Sequence, residues 1–338
     1  MNSHLAMYKA GERVASLLPT PLALRLGQWL GAGIGRLPDL DGKRAVVSSH
    51  MRLLMGEGLS SKQTRRLVAE VFGFYGRYWA ESLRLPSLGA ADVAAGVHMS
   101  GFENVERHLA AGTGVLLAAP HLGGWEWGAT YLATGMGLPI TVAVEPLDPP
   151  EVFEWFARFR ERLGMNVVAV GAGAAKQITQ ALRNGHIVCL LSDRLVGGTT
   201  GVRVEFFGAP TSLPAGPVTL ALRSEAPLVA AAIYYEGGCS AHRIVFRPPL
   251  SLSRSGNFRT DVQVGTQALA RELEVLIRAA PTQWHLIQPN WPSDPQVHRV
   301  FRPRRAGVGR AAKVTEVQPS AALQGEPPAS AVPSPSGK

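Results

Sequence analysis

The stretch Gly114-Val115-Leu116-Leu117-Ala118-Ala119-Pro120-His121-Leu122-Gly123-Gly124-Trp125-Glu126-Trp127-Gly128 decides the fold. Its first six residues form a short apolar run closed by proline, which predicts a strand. Trp125 to Leu132 then reads as a helix, so His121 falls in a strand-to-helix turn that Gly123 and Gly124 allow to bend sharply. Residues five apart within one helix point about 140° away from each other. A histidine in the turn and a glutamate in the first helical turn can instead converge, giving His121 and Glu126 the form of a base and its orienting carboxylate. A histidine capping the helix beside a solvated glutamate is the other reading of this spacing.

Outward from that strand, β-branched or apolar runs alternate with helical periodicity. Strands are expected at 115–119, 140–144, 167–170, 187–191, 228–235 and 244–246, and helices near 105–110, 125–133, 152–163, 174–183 and 216–224, with a further helix at 263–279. This alternation predicts an α/β fold with a mostly parallel central sheet flanked by helices. Before it, residues 1–87 read as amphipathic helices at 5–18, 21–35, 43–55 and 61–85. The expected organisation is a membrane-associated helical region (1–87), an α/β core (88–302), and a disordered, basic, Pro/Ala/Ser-rich tail (303–338) with almost no large apolar residues.

The composition narrows the function classes. A chain of 338 residues that is 46% hydrophobic can bury a large core. Its two cysteines, Cys189 and Cys239, supply neither a disulfide framework nor a metal cluster, and no His-Glu-x-x-His spacing occurs. Lys9, Glu12 and Arg13 interrupt the apolar residues near the amino terminus, and no charge-free run approaches 20 residues, so neither a cleaved signal peptide nor a spanning helix is expected. The net charge of +9 calls for an acidic partner. No nucleic-acid-binding signature accompanies it. Helices at the amino terminus with Leu, Trp and Ala on one face and Lys9, Arg13, Arg25 and Arg36 among them suit an anionic membrane surface, and equally suit packing on the core. The expected location is the cytoplasmic face of the cell membrane, peripherally bound.

Several separated segments resemble the lysophospholipid-acyltransferase-like enzymes that include the late acyltransferases of lipid A biosynthesis. They are Tyr75-Gly76-Arg77-Tyr78-Trp79-Ala80-Glu81-Ser82-Leu83-Arg84-Leu85-Pro86, His121 to Glu126, the turn Asp193-Arg194, Val204-Glu205-Phe206-Phe207-Gly208, and Trp284 to Asp294. The resemblance spans about residues 5 to 300. It implies a membrane-associated enzyme that moves a long acyl chain from acyl-CoA to a mannose hydroxyl of a phosphatidylinositol mannoside, with His121 as general base and Glu126 as its partner. Acyl-CoA would be a substrate, and no cofactor, metal or nucleic acid is implied. The same chemistry on a different glycolipid or lysophospholipid is an alternative, as is a catalytically silent lipid-binding homologue.

Without a Gly-x-Ser-x-Gly elbow or a Cys/His arrangement, direct transfer without an acyl-enzyme is expected. Amides at Gly123 and Gly124, or a nearby arginine, are candidates for holding the oxyanion. The resemblance also places a functional arginine in the run 155–164, where Arg158 fits best and Arg160 second, and matches Glu145, Asp193 and Arg194 to polar substrate-binding positions. The family usually has Asn where this chain has Gly124. Trp125, Trp127, Phe206, Phe207 and Leu213 are candidates to line an acyl groove, while His186, His242 and His285 read as structural. Gly171-Ala172-Gly173-Ala174-Ala175-Lys176 looks like a phosphate loop but lacks the Lys-Ser/Thr pair, so a glycine-rich strand-to-helix turn is the simpler reading.

Overall fold

The computed structural model describes residues 3–37, 40–197, 199–237 and 241–295. The described residues fall in one compact unit. The turn expected at Pro38-Asp39, Cys239 and the expected disordered tail lie outside them.

Four helices come first: α1 (Ser3–Leu17), α2 (Thr20–Ile34), α3 (Asp41–Met55) and α4 (Ser61–Arg84). The longest, α4, is fixed at its start by a capping box in which the Ser60 hydroxyl and the Gln63 side chain each meet the other's backbone amide. Helix α2 lies against α4 through glycine. A Cβ at Gly31 would sit 2.3 Å from the Phe72 carbonyl oxygen, and one at Gly76 would sit 2.2 Å from that of Gly27. The two backbones therefore approach as closely as only glycine permits.

The core continues with α5 (Ala90–Ala94), β1 (Val97–Ser100), α6 (Glu103–Ala110), β2 (Val115–Ala119), α7 (Trp125–Thr130), β3 (Ile140–Val144), α8 (Pro150–Arg162), β4 (Met165–Ala169), α9 (Ala174–Arg183), β5 (Ile187–Leu191), β6 (Gly201–Phe206), β7 (Ala209–Pro214), α10 (Gly216–Ser224), β8 (Leu228–Tyr235), β9 (His242–Phe246) and α11 (Phe258–Arg278). Seven strands form one sheet in the order β1-β9-β8-β2-β5-β3-β4. The five from β8 to β4 are parallel; β9 runs antiparallel to β8, and β1 follows β9. This is the mostly parallel sheet expected. The wholly apolar β2 and β8 lie in its interior, buried at every position.

Separate apolar clusters cover the two faces of the sheet. One includes α9, α10 and α11; the other includes α7 and α8. The hairpin β6-β7 packs beside α11 rather than in the main sheet.

Candidate active site

Strand register builds the site. β2 and β5 are parallel neighbours with Ala119 opposite Leu191. His121 and Asp193 each stand two residues beyond that pair, so they leave adjacent strands at the same level, on the carboxyl edge where α/β sheets place their ligands. His121 Nδ1 and Asp193 Oδ1 are 2.6 Å apart. The His121 backbone amide donates to Asp193 Oδ2 at 2.8 Å, and the Trp284 indole N–H donates to the same oxygen at 2.7 Å. Burial pushes the Asp193 carboxyl up, but the imidazole, the indole and the amide outweigh it and leave the group below its ordinary value. The carboxylate is fully buried, whereas the imidazole side chain is 23% exposed. One ring nitrogen is thus held by an ionised carboxylate, leaving Nε2 to meet a substrate.

Glu126 does not supply this carboxylate. It lies in the first turn of α7, buried, with Oε1 2.6 Å from Arg160 Nη2 of α8. Burial pushes the Glu126 carboxyl up, opposed by the guanidinium and the Tyr78 hydroxyl. The physical reason for the change of partner is that Arg160 is itself buried, and a buried cation needs a carboxylate more than an accessible imidazole does. Arg160 lines the cavity described below. Arg158, 200° around α8 from it, points outward at 76% side-chain exposure and pairs with Glu154 at 3.6 Å. Arg158 therefore does not reach the site.

The glycine turn has a different use from the one expected. Gly123 has φ +59°, and a Cβ there would fall 1.9 Å from the Ile233 carbonyl oxygen. Its amide donates to the Gln283 carbonyl at 3.0 Å, so it is not available to an oxyanion. Gly124 is buried where a Cβ would lie 2.7 Å from Glu81 Oε2 and 3.2 Å from the His242 ring. A side chain such as Asn would displace that Glu81–His242 pair, whose Oε1 and Nε2 are 3.0 Å apart. Neither glycine lines the cavity.

The segment after α11 stitches the turn from outside. Leu122 bridges Trp284, the His285 amide donates to the His121 carbonyl at 3.0 Å, and His285 Nε2–H donates to the Gly123 carbonyl at 3.2 Å. Burial holds His285 at about 4, so it stays neutral beside His121. Asn290 adds a bond from its side-chain amide to the Asp193 carbonyl. His242 and His186 likewise serve the fold, the latter 2.9 Å from the Thr141 hydroxyl.

His121 opens onto a cavity of about 1460 Å³. One lobe runs beneath the sheet on the α7 side, walled by residues such as Phe246, Ala231, Leu117, Cys189 and Val142 from five consecutive strands, β9 to β3. Five strands span about 19 Å. The Cys189 thiol facing this lobe is pushed up to about 12 by burial, as a dry wall requires. Glu145 and Arg194 stand at the rim, paired at 2.8 Å. Of the apolar residues expected along a groove, Trp125 lines the cavity, whereas Trp127, Phe206, Phe207 and Leu213 are buried in the core. Among the described residues no group of His, Cys, Asp and Glu could hold a metal ion.

A histidine at the carboxyl edge of the sheet, held through one ring nitrogen by a buried carboxylate beside a long apolar lobe, has the geometry that proton transfer next to an extended apolar group requires. The chain belongs to the bacterial lipid A biosynthesis acyltransferase family, whose profile matches residues 5–293, and it is an acyltransferase. It is 36% identical over 225 residues, 65% of this chain and 68% of the relative, to the phosphatidylinositol mannoside acyltransferase of Mycobacterium tuberculosis. It is 30% identical over 290 residues to the protein of the same name from Mycolicibacterium smegmatis, covering 85% of this chain and 91% of that one.

Proposed function

We propose that this acyltransferase moves a long-chain acyl group from acyl-CoA to a mannose hydroxyl of a phosphatidylinositol mannoside, with His121 as the general base and Asp193 as its partner. The observation that carries the reading is the single junction at which the His121 ring, fixed through Nδ1, meets the apolar lobe. His121 Nε2 takes the hydroxyl proton as the sugar oxygen attacks the thioester carbonyl. The tetrahedral intermediate collapses with cleavage of the C–S bond, and the imidazolium returns its proton to the departing thiolate. The products are free CoA and an O-acyl ester. Arg194, next to Asp193 at the rim, has a buried Nε–H without a hydrogen-bond partner among the described residues, which suits it to the developing oxyanion.

No described helix is long and apolar enough to cross a membrane. Helix α2 instead exposes Leu22, Leu26, Trp29, Leu30 and Ile34 as one stripe, and α1 ends on an exposed Leu17. That stripe, with Arg25 and Arg36 among it, supports peripheral binding to an anionic bilayer on the face where acyl-CoA is available.

The test incubates purified protein with palmitoyl-CoA and phosphatidylinositol mannoside in vesicles, following free thiol and acylated lipid. His121→Ala is expected to lower turnover by about 10²- to 10⁴-fold, the ordinary size of a general-base contribution. Asp193→Asn should lower kcat with little change in either KM. Thiol release that persists unchanged in His121→Ala would overturn the assignment.

A further inference from the structure

The cavity has a second lobe on the opposite face of the sheet, between α9 and α10, that the acyl chain does not need. Lys176, Gln180 and Arg183 line it from α9 at positions i, i+4 and i+7, one stripe of that helix. Thr219 and Arg223 line it from α10. Both helices run from the carboxyl edge of the sheet toward its amino edge, so Lys176 lies near the His121 edge and Arg183 about 10 Å further along the axis.

The charges there lack counterparts. Among the described residues lining the whole cavity, Glu145 alone is acidic, and it already pairs with Arg194, as Arg160 pairs with Glu126. Lys176, Arg183 and Arg223 have no carboxylate within ion-pair distance among the described residues; Arg223 packs its guanidinium 5.3 Å from the Phe258 ring centroid. Three cations on facing helices, spread along a groove continuous with the catalytic histidine, are an electrostatic match for an extended ligand carrying phosphate at more than one level.

We infer that the α9–α10 lobe is a phosphate-binding subsite in which Lys176, Arg183 and Arg223 hold the phosphorylated portion of a substrate while its reacting atom lies at His121. Two sources offer that chemistry, the nucleotide of a CoA thioester and the phosphodiester head group of the acceptor lipid. The identity of these ligands rests on the acyl-transfer reading above, whereas the phosphate subsite itself does not. It also relocates the role first expected of Arg158 and Arg160, one of which is turned outward and the other neutralised by Glu126.

The experiment titrates the full-length protein with adenosine 3′,5′-bisphosphate and, separately, with glycerophosphoinositol. Wild type should bind one of them with an affinity that falls as salt is raised. The triple variant K176A/R183A/R223A should bind it about ten- to hundredfold more weakly, as expected for lost charge-assisted hydrogen bonds, and R183K/R223K should recover part of the loss. In turnover assays, a raised KM for palmitoyl-CoA with no change for palmitoyl-pantetheine, which lacks the nucleotide, assigns the lobe to the donor; a raised KM for the acceptor alone assigns it to the head group. A folded triple variant that binds both probes as wild type does overturns the inference. Loss of probe binding in a protein that transfers no acyl group would leave the subsite standing and remove the acyl-transfer reading instead.

Discussion

Glu126 and Arg160 hold each other where neither charge could stand alone, and their coupling can be measured. Arg160→Leu should cost about 3–5 kcal/mol in urea unfolding because it strands a buried carboxylate, whereas Glu126→Leu/Arg160→Leu should regain most of that loss. Equal destabilisation by the single and double variants would show that the pair does not act as a unit. At this scale the sequence was half legible. His121 stood out because a titratable residue between an apolar run and a glycine turn is conspicuous, but its partner did not. Glu126, five positions away, looked like the carboxylate, while Asp193, 72 residues on, becomes a neighbour only through the parallel register of β2 and β5. Trp284 and Asn290, which hold the same aspartate in place, gave no sign of that role beyond lying in the closing motif.

Among the elements, the glycine seam between α2 and α4 is the feature most sensitive to a small change. Gly76→Leu would drive a side chain into the Gly27 carbonyl, so α2 must move away. A loss of about 1–3 kcal/mol is expected, with α2 becoming open to limited proteolysis while the sheet survives. Retained protection of α2 would mean that the seam yields without separating. Most elements were legible because their residues obey one period: the apolar runs of β2, β3, β5 and β8 and the amphipathic α9 appear where the pattern puts them. β1 was not, since Val97-His98-Met99-Ser100 is a four-residue edge strand only half buried on alternate positions. The hairpin β6-β7 was also missed, because Pro210 and Pro214 interrupt its second strand and its turn takes a positive φ at Phe207.

For the whole molecule, acid should weaken the fold through His285. Its folded value of about 4 lies below the unfolded 6.5, so between these two values the unfolded chain binds a proton that the native state refuses. Stability should therefore fall as pH drops from about 6.5 to 4, by up to about 3 kcal/mol. Asp294, held at about 2 by His50 and the amides of Asn290 and Trp291 despite its burial, keeps its contribution through that window and loses it only below the ordinary carboxylate range. Urea midpoints measured from pH 7 to 4.5 should slope for wild type and flatten for His285→Asn; identical slopes would rule out this origin.

The strand-like stitch between Leu122 and Trp284 also sets an order of events during synthesis. The histidine turn is translated more than a third of the way along the chain, but the indole that grips Asp193 and the carbonyl that receives the Gly123 amide arrive only with residues 283 and 284. A ribosome that stops before them releases a chain that carries the sheet-forming segments and His121 but neither of the groups that hold Asp193 and the Gly123 amide, so the histidine turn takes its final geometry only once translation has passed Trp284.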